Sequence, residues 1–352
     1  YDMFEYQHFN PSDMGTFSVS YMALGTLFRK SSSESLSQTF KDFLNNRAII
    51  SARLGNTNPY TGGILDPEDP NYYKGYTGFS QDVLIPAFIA AYTGRDASKV
   101  PLIDYSNENI RSNPFKYYFP LPNWKLSYNG LARMPSLRDK ITNFTISNSY
   151  TCNMSMNSFI TNFYYQDLLG VGFPSFIDSN SHNYVPFFQV PNLTITEQFS
   201  PILGIDASFK NSLTFRVQFN KTRMMSLSLI DYQVSETNST EYVIGGGYRI
   251  KGLHLPFTIF GVRELKNDIN IRVDLGYRND ETFNTYLAGM TQMATRGQKV
   301  ITISPTIDYI INDNLQLRLF YDRRQTVPVM STSYPITTTR AGLTLRFLFT
   351  EK

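Results

Sequence analysis

The stretch Thr339-Arg340-Ala341-Gly342-Leu343-Thr344-Leu345-Arg346-Phe347-Leu348-Phe349 has the side-chain alternation of a β-strand. Successive side chains of a strand point to opposite faces, so the alternate apolar residues share one face and the arginines share the other. A soluble sheet buries its apolar face, whereas a transmembrane barrel turns an apolar band to lipid and encloses a polar lumen. The aromatic end of this strand, and similar strands upstream with arginine on the polar face, favour the barrel.

Five upstream runs repeat this pattern, and each has roughly the 9–11 residues with which a tilted strand crosses a bilayer. One parity of these runs is apolar, and we expect it to face lipid. With the last strand, its members include Leu213, Phe215, Ile271, Val273, Ile303, Leu317, Leu343, Leu345 and Phe347. The other parity is polar, and we expect it to face a water-filled lumen. Its charged members include Arg216, Arg249, Arg272, Arg278, Arg318, Arg346, Asp274 and Asp308.

The region 29–121 breaks the strand pattern. Apolar residues at helical spacing predict one helix over about 35–54 and a second over 81–92, which ends at Gly94 as a C-cap. Turn residues are dense between and after these helices. We therefore predict an all-β transmembrane antiparallel barrel with a folded insertion that caps, lines or gates it. The strand region, the helical and loop insertion and the C-terminal strands are predicted at 1–28, 29–121 and 122–352.

Connections between the predicted strands alternate in length. Short turns are predicted at 210–212 and 312–314, and longer connections at about 158–191, 234–239, 291–297 and 326–335. Short periplasmic turns and longer extracellular loops are typical of outer-membrane barrels. If the last strand ends in the periplasm, the insertion lies on the outside of the cell.

The composition agrees with a membrane barrel and excludes an intrachain disulfide. Charged residues are only 17% of the chain, while aromatic residues reach 15%. Cys152 is the only cysteine, and its parity matches that of Tyr150 and Met154, so we expect a buried or lipid-facing side chain. A net charge of +3 gives no support for nucleic-acid binding. Because Tyr1 is neither a start methionine nor the beginning of a signal peptide, we expect that the original N-terminus is missing.

The sequence carries no pattern of catalytic, cofactor-binding or metal-ligating residues, and we predict a non-enzymatic protein. His8, His182 and His254 lie in separate segments, and P-loop, nucleophile-elbow and H-E-x-x-H motifs are absent. The run Gly245-Gly246-Gly247 lies within a predicted strand, which indicates a close backbone approach or a sharp bend. The polar-face charges have two interpretations: interstrand pairs that solvate a wet wall, or a conduit surface to which an unfolded passenger does not adhere.

Seven stretches together carry a family resemblance: 82–94, 121–124, 195–201, 211–219, 225–229, 241–249 and 297–303. They resemble the C-terminal part of the SprA/Sov family, the outer-membrane translocon of the Bacteroidetes type IX secretion system. The similarity covers most of the chain from about residue 80. It implies a very large single-chain barrel, of which this chain is the C-terminal portion, through which folded cargo proteins leave the periplasm.

The resemblance also implies partners. These are the rest of the same barrel polypeptide, a PorV-type small barrel at a lateral opening, a periplasmic plug protein, secreted cargo and outer-membrane lipid. No cofactor is implied. Two other interpretations stay open. A nutrient-uptake barrel of the SusC or TonB-dependent type carries a plug and a TonB box, neither visible in this sequence, and a surface β-adhesin packs its apolar faces together and extracts without detergent.

Overall fold

The computed structural model of the protein describes residues 14–29, 36–103, 117–259, 262–265, 267–289, 292–312, 315–329 and 333–347. Several predictions lie partly outside the described residues: the strand segment at 1–13, residues 30–35 and 104–116 of the insertion, residues 291 and 330–332 of two predicted connections, the turn residues 313 and 314, and residues 348–352 at the end of the last strand region. Within the described part, β-strands dominate and helices are few.

The elements follow one another in an order that separates the helices from most of the strands. They are β1 (Met14–Ser20), a 3₁₀ turn (Leu24–Thr26), α1 (Gln38–Thr57), α2 (Gln81–Thr93), β2 (Trp124–Tyr128), a 3₁₀ turn (Gly130–Arg133), β3 (Ile141–Thr161), β4 (Phe188–Gln189), β5 (Asn192–Phe209), β6 (Leu213–Ser228), β7 (Gln233–Ile250), β8 (Leu253–Ile259), β9 (Val262–Leu265), β10 (Ile269–Tyr286), β11 (Gln292–Asn312), β12 (Leu315–Pro328) and β13 (Ile336–Phe347).

Most of the strands form one antiparallel sheet in the order β1-β3-β5-β6-β7-β10-β11-β12-β13, with β2 and β4 also paired to β3. The pair β8 and β9 forms a separate hairpin between β7 and β10. The prediction of an all-β, antiparallel fold is confirmed. Among the described residues the sheet is open, with β13 at one edge and β1 with β2 at the other.

β1 and β2 are two halves of one interrupted edge strand. Both run antiparallel to β3, β1 alongside residues 153–160 and β2 alongside residues 146–150. The chain leaves the sheet after Ser20 and returns at Leu121, whose N–H donates to the carbonyl oxygen of Ser20 at 2.9 Å. The insertion is therefore an excursion from the middle of a strand that begins at residue 21, inside the predicted strand region 1–28, and both of its ends are held at one point of the sheet.

The insertion contains the two predicted helices. α1 begins after Ser37, whose hydroxyl oxygen accepts a hydrogen bond from the N–H of Phe40 at 3.1 Å, as an N-cap does. α2 ends at Gly94, whose φ of +71° is the left-handed conformation predicted for its C-cap. All of α2 after Gln81 is buried, because the helix is apolar on nearly every side and packs between α1 and the sheet.

The strands are longer than the sequence predicted. β6, β7 and β10 have 16, 18 and 18 residues, against the roughly 9–11 that a tilted strand needs to cross a bilayer. The connections predicted at 234–239 and 291–297 are wrong, because β7 begins at Gln233 and β11 at Gln292. These segments are polar, yet their backbone groups continue the ladders to neighbouring strands. Apolar alternation therefore marked only part of each strand.

The insertion covers one face of the sheet at one end of the strands. Met225 and Leu227 of β6 and Val234 of β7 are buried beneath it, in the core that also contains α2. Met225 has the parity of Leu213 and Phe215, and β6 pairs with β7 in unbroken register. The helices therefore lie on the face of the predicted lipid-facing residues. The described part of the insertion therefore does not line the polar face. The sequence predicted the helices of the insertion but did not predict which face of the sheet they cover.

Candidate functional site

An exposed apolar surface, here termed the apolar band, crosses the sheet from β5 to β13 at the end of the strands away from the insertion. One of its rows, in register over six strands, consists of Leu213, Tyr248, Ile271, Ile307, Leu319 and Leu343. All of the predicted lipid-facing residues lie on this face, and Leu343, Leu345 and Phe347 are 59%, 50% and 58% exposed. Soluble monomers rarely expose so continuous an apolar surface, so the band marks a surface for lipid or another apolar partner.

Aromatic side chains border the apolar band on the side of the insertion. Phe219 of β6 stacks on Tyr242 of β7 with ring centroids 4.8 Å apart, and Tyr242 lies 6.4 Å from Tyr277 of β10. Toward the edge of the sheet, Trp124 stacks on Tyr150 at 4.4 Å. Aromatic girdles of this kind mark the membrane–water interface of outer-membrane barrels. These five side chains, here termed the aromatic row, thus border the apolar band on the side of the insertion.

The opposite face of the sheet, here termed the polar face, carries ion pairs. Asp206 pairs with Arg216, and Asp308 with Arg318, directly across neighbouring strands and at 2.6 Å in both cases. The arginine side chains are 58% and 60% exposed and the aspartate side chains 35% and 34%, and pairs open to solvent in this way stabilise a fold by at most about 1 kcal/mol each. Their main effect is therefore to keep the polar face charged and hydrated.

All of the predicted lumen-facing residues lie on the polar face. The four arginines with carboxylate partners are Arg216, Arg249, Arg278 and Arg318. Within the described ranges, no ion pair is found for Arg272 or Arg346. The pairing that is present agrees with a wet wall, and a hydrated conduit surface would have the same geometry.

The glycine run of β7 makes room for side chains of the neighbouring strands. A Cβ at Gly245 would lie 2.6 Å from Oδ1 of Asp274, and a Cβ at Gly247 would lie 2.6 Å from Oγ1 of Thr214. Gly246 points to the apolar face and meets open space. The sequence predicted a close approach at these glycines, and in the structure it is made by side chains of the neighbouring strands that lie against the β7 backbone. The absence of side chains at the glycines also leaves a charged depression of about 290 Å³ on the polar face.

A buried polar network lies beneath the insertion, next to the aromatic row. Glu197 of β5 and Arg223 of β6 face each other across the strands and pair at 2.6 Å, with side chains 0% and 7% exposed. The hydroxyl of Tyr150 donates to the second carboxylate oxygen at 2.8 Å. Arg223 also donates to the carbonyl oxygens of Ala23 and Thr26, at 3.0 and 2.8 Å. Both charges are thus hydrogen-bonded, as a buried ion pair requires.

A second buried carboxylate holds α2 against the sheet. Glu236 of β7 accepts hydrogen bonds from the hydroxyls of Tyr92 and Ser37, at 2.5 and 3.3 Å. Burial, and next the adjacent Glu236 carboxylate, raise the pKa of Tyr92 well above its usual value. Tyr92 is therefore protonated at neutral pH and acts as the donor. With Arg223, this contact fixes both the first turn of the insertion and its second helix to the sheet.

This network was not predicted from the sequence. Glu197 interrupts a row of apolar odd positions in β5, and Arg223 precedes the apolar odd positions Met225 and Leu227 in β6. Charges of opposite sign at apolar parity on successive strands are the signal that could have revealed the pair. The register, which places the two residues opposite each other, is not visible in the sequence.

A metal site and a membrane-spanning helix receive no support from the described part of the chain. No group of three or more His, Cys, Asp or Glu side chains within it is arranged to hold a metal ion. No helix in the described ranges is long and apolar enough to cross a bilayer. Cys152 is buried beneath the insertion, as predicted. Comparison with known proteins finds no protein-family model and no curated sequence that matches the chain.

Proposed function

We propose that the chain forms part of the wall of a very large outer-membrane barrel that exports folded proteins from the periplasm, as the type IX secretion translocon does. The observation that carries this proposal is the separation of the two faces of the sheet. The apolar band occupies one face and ion-paired charges occupy the other, in register from β5 to β13. This arrangement suits a wall with lipid on one side and water on the other.

The open sheet supports a barrel that is larger than this chain. A bilayer offers no water to an unpaired strand edge, so β13 and the edge formed by β1 and β2 require further strands. The rest of the same polypeptide is the proposed source of these strands. Barrel diameter grows with strand number, and a pore for folded proteins requires many more strands than the described sheet contains.

The polar face suits a conduit because its charges are mixed in sign and exposed. Arg318 with Asp308, and Arg340 with Asp322, present both signs side by side. A hydrated surface of this kind offers little apolar area to a passing protein, so cargo is not retained. In this proposal the chain has no catalytic role, and its partners are cargo, a periplasmic plug protein and a PorV-type small barrel.

The insertion lies on the lipid side of the proposed wall, beyond the apolar band. β13 runs toward the end of the sheet where the band lies, and the insertion covers the other end. With the last strand ending in the periplasm, the insertion stands on the outside of the cell, against the outer surface of the barrel. It therefore caps or braces the wall.

The experiment is to delete residues 193–352 in the native host and to measure secreted cargo together with uptake of small nutrients. Cargo trapped in the periplasm with normal uptake is the expected result. Normal secretion with failed nutrient uptake would contradict the proposal and would indicate a nutrient-uptake barrel. The variant Thr344→Arg, on the polar face, is the matched control and retains secretion. Release of the full-length protein from membranes without detergent would instead favour a surface adhesin.

A further inference from the structure

The exposed ring of Phe28 lies at the margin of the insertion, next to the aromatic row. On β6, Lys221 is the next same-face residue after Phe219, roughly 7 Å farther along the strand. Its ammonium nitrogen lies 5.1 Å from the centroid of the Phe28 ring. Phe28 is 70% exposed, although Leu27 beside it is buried. A large aromatic side chain is thus presented at the border of the apolar band.

The segment that carries Phe28 is fixed to both the sheet and α2. The hydroxyl of Thr26 donates to the carbonyl oxygen of Tyr92 at 2.6 Å, and the carbonyl oxygen of Thr26 accepts from Arg223 at 2.8 Å. The backbone of Gly25 lies against Gly94, since a Cβ at Gly25 would be 3.3 Å from the Cα of Gly94. The buried network of Arg223, Thr26 and Tyr92 therefore fixes the position of the Phe28 ring relative to the apolar band.

Basic side chains flank this ring. Lys221 lies over its face, and the neighbouring Arg29 is 39% exposed while paired with Asp42 at 2.6 Å. An aromatic ring beside lysine or arginine suits the headgroup layer of a membrane, where the ring meets the upper acyl chains and the cations meet phosphates. The position next to the band and the cationic Lys221 at the ring both match an anionic lipid surface.

We propose that the underside of the insertion rests on the membrane, with Phe28 in the headgroup layer and Lys221 beside lipid phosphates. This inference rests on the proposed function, because it takes the apolar band to face lipid. It adds a contact that is made by the insertion and not by a strand. The insertion then braces the outer surface of the wall against the bilayer.

The test places the photocrosslinker benzoylphenylalanine at one position of the full-length protein in membranes with phosphorus-radiolabelled lipid. Positions 28, 345 and 230 are compared: Leu345 lies in the apolar band, and Ile230, which is 72% exposed, lies in the turn at the far end of β6. The expected result is a labelled lipid adduct from positions 28 and 345 and none from position 230.

The outcomes separate this inference from the proposed function. Lipid adducts at 345 without any at 28 would overturn the Phe28 contact and leave the lipid-facing band intact. A protein adduct at 28 would also overturn it, because another chain would then cover the ring. No lipid adduct at 345 would contradict the proposed function itself.

Discussion

Glu197 of β5 and Arg223 of β6 form a buried ion pair at the point where the insertion meets the sheet. The same guanidinium binds the carbonyl oxygens of Ala23 and Thr26, so one side chain joins two strands to the first turn of the insertion. A buried pair adds little net stability compared with apolar residues of equal volume, but loss of one partner leaves a buried charge without compensation. The pair therefore determines where the insertion docks.

Replacing Glu197 alone is expected to loosen the insertion strongly. Glu197→Leu leaves Arg223 charged and buried, at an expected cost of about 3–5 kcal/mol. The double variant Glu197→Leu with Arg223→Met removes both charges and should recover most of that loss. The measurement is the urea concentration at which trypsin cleaves the insertion. A double variant less stable than the single variant would show that the pair itself, and not its charge balance, holds the insertion.

Alkaline pH is expected to open the insertion. Burial is the main factor that raises the pKa values of Tyr76, Tyr92 and Tyr118 above the usual tyrosine value of 10.0. The folded state therefore favours the protonated form, and the unfolded state ionises first as pH rises. The stabilisation that the buried tyrosines give the folded insertion is complete below pH 10. It declines as the pH rises above 10 toward the raised pKa values of these tyrosines in the folded state.

Tyrosinate absorbance, followed together with trypsin resistance, checks this prediction. Exposed tyrosines should ionise first, and the buried residues Tyr76, Tyr92 and Tyr118 should ionise only as trypsin begins to cleave the insertion. Ionisation of all tyrosines near pH 10 with unchanged resistance would show that burial does not protect these residues.

Adjacent glycines of β7 should respond in opposite ways to the same substitution. Gly245→Val places side-chain atoms against the carboxylate of Asp274 and should destabilise the sheet by about 1–3 kcal/mol. Gly246→Val meets open space on the apolar band and should be neutral or stabilising, since valine favours strands. Urea denaturation of the two variants in lipid gives the comparison. Equal losses of stability in the two variants would contradict this prediction, because the two glycines would then have equivalent surroundings.

Much of the sheet follows from sequence parity. The alternation of Leu343 and Leu345 with Thr344 and Arg346 predicts the two faces of β13, and the structure has them on those faces. Side chains alternate in any strand, so the pattern needs no knowledge of the neighbouring strands. The full length of the strands was not predictable in this way, because the polar halves of β7 and β11 lack an apolar signal and are defined by backbone pairing.

The position of the insertion could not be predicted from the sequence. Helical spacing located α1, and helical spacing together with the C-cap Gly94 located α2, each to within a few residues. Which face of the sheet they cover depends on tertiary contacts, above all the hydrogen bonds of Arg223 and Glu236 with the insertion. These contacts join residues far apart in the chain, so no local pattern reveals them.

Arginine substitutions distinguish the apolar band from the polar face. Leu317 and Leu345 are directly paired, so Leu317→Arg or Leu345→Arg places a charge on the band. Near the bilayer midplane this should cost about 2–4 kcal/mol, and less toward the interfaces. Gln316→Arg and Thr344→Arg, on the polar face, should be tolerated. The four variants are compared by folding of the full-length protein into liposomes, and equal penalties on both faces would contradict the two-faced wall.

The most direct test of the wall is the water accessibility of two neighbouring residues of β13. Leu345→Cys and Thr344→Cys are introduced separately into full-length protein without other reactive cysteines, and isolated outer membranes receive a membrane-impermeant maleimide. Thr344→Cys should be labelled and Leu345→Cys should be protected, because in the proposed wall lipid covers the apolar band while water reaches the polar face. Equal labelling of the two cysteines would contradict the account.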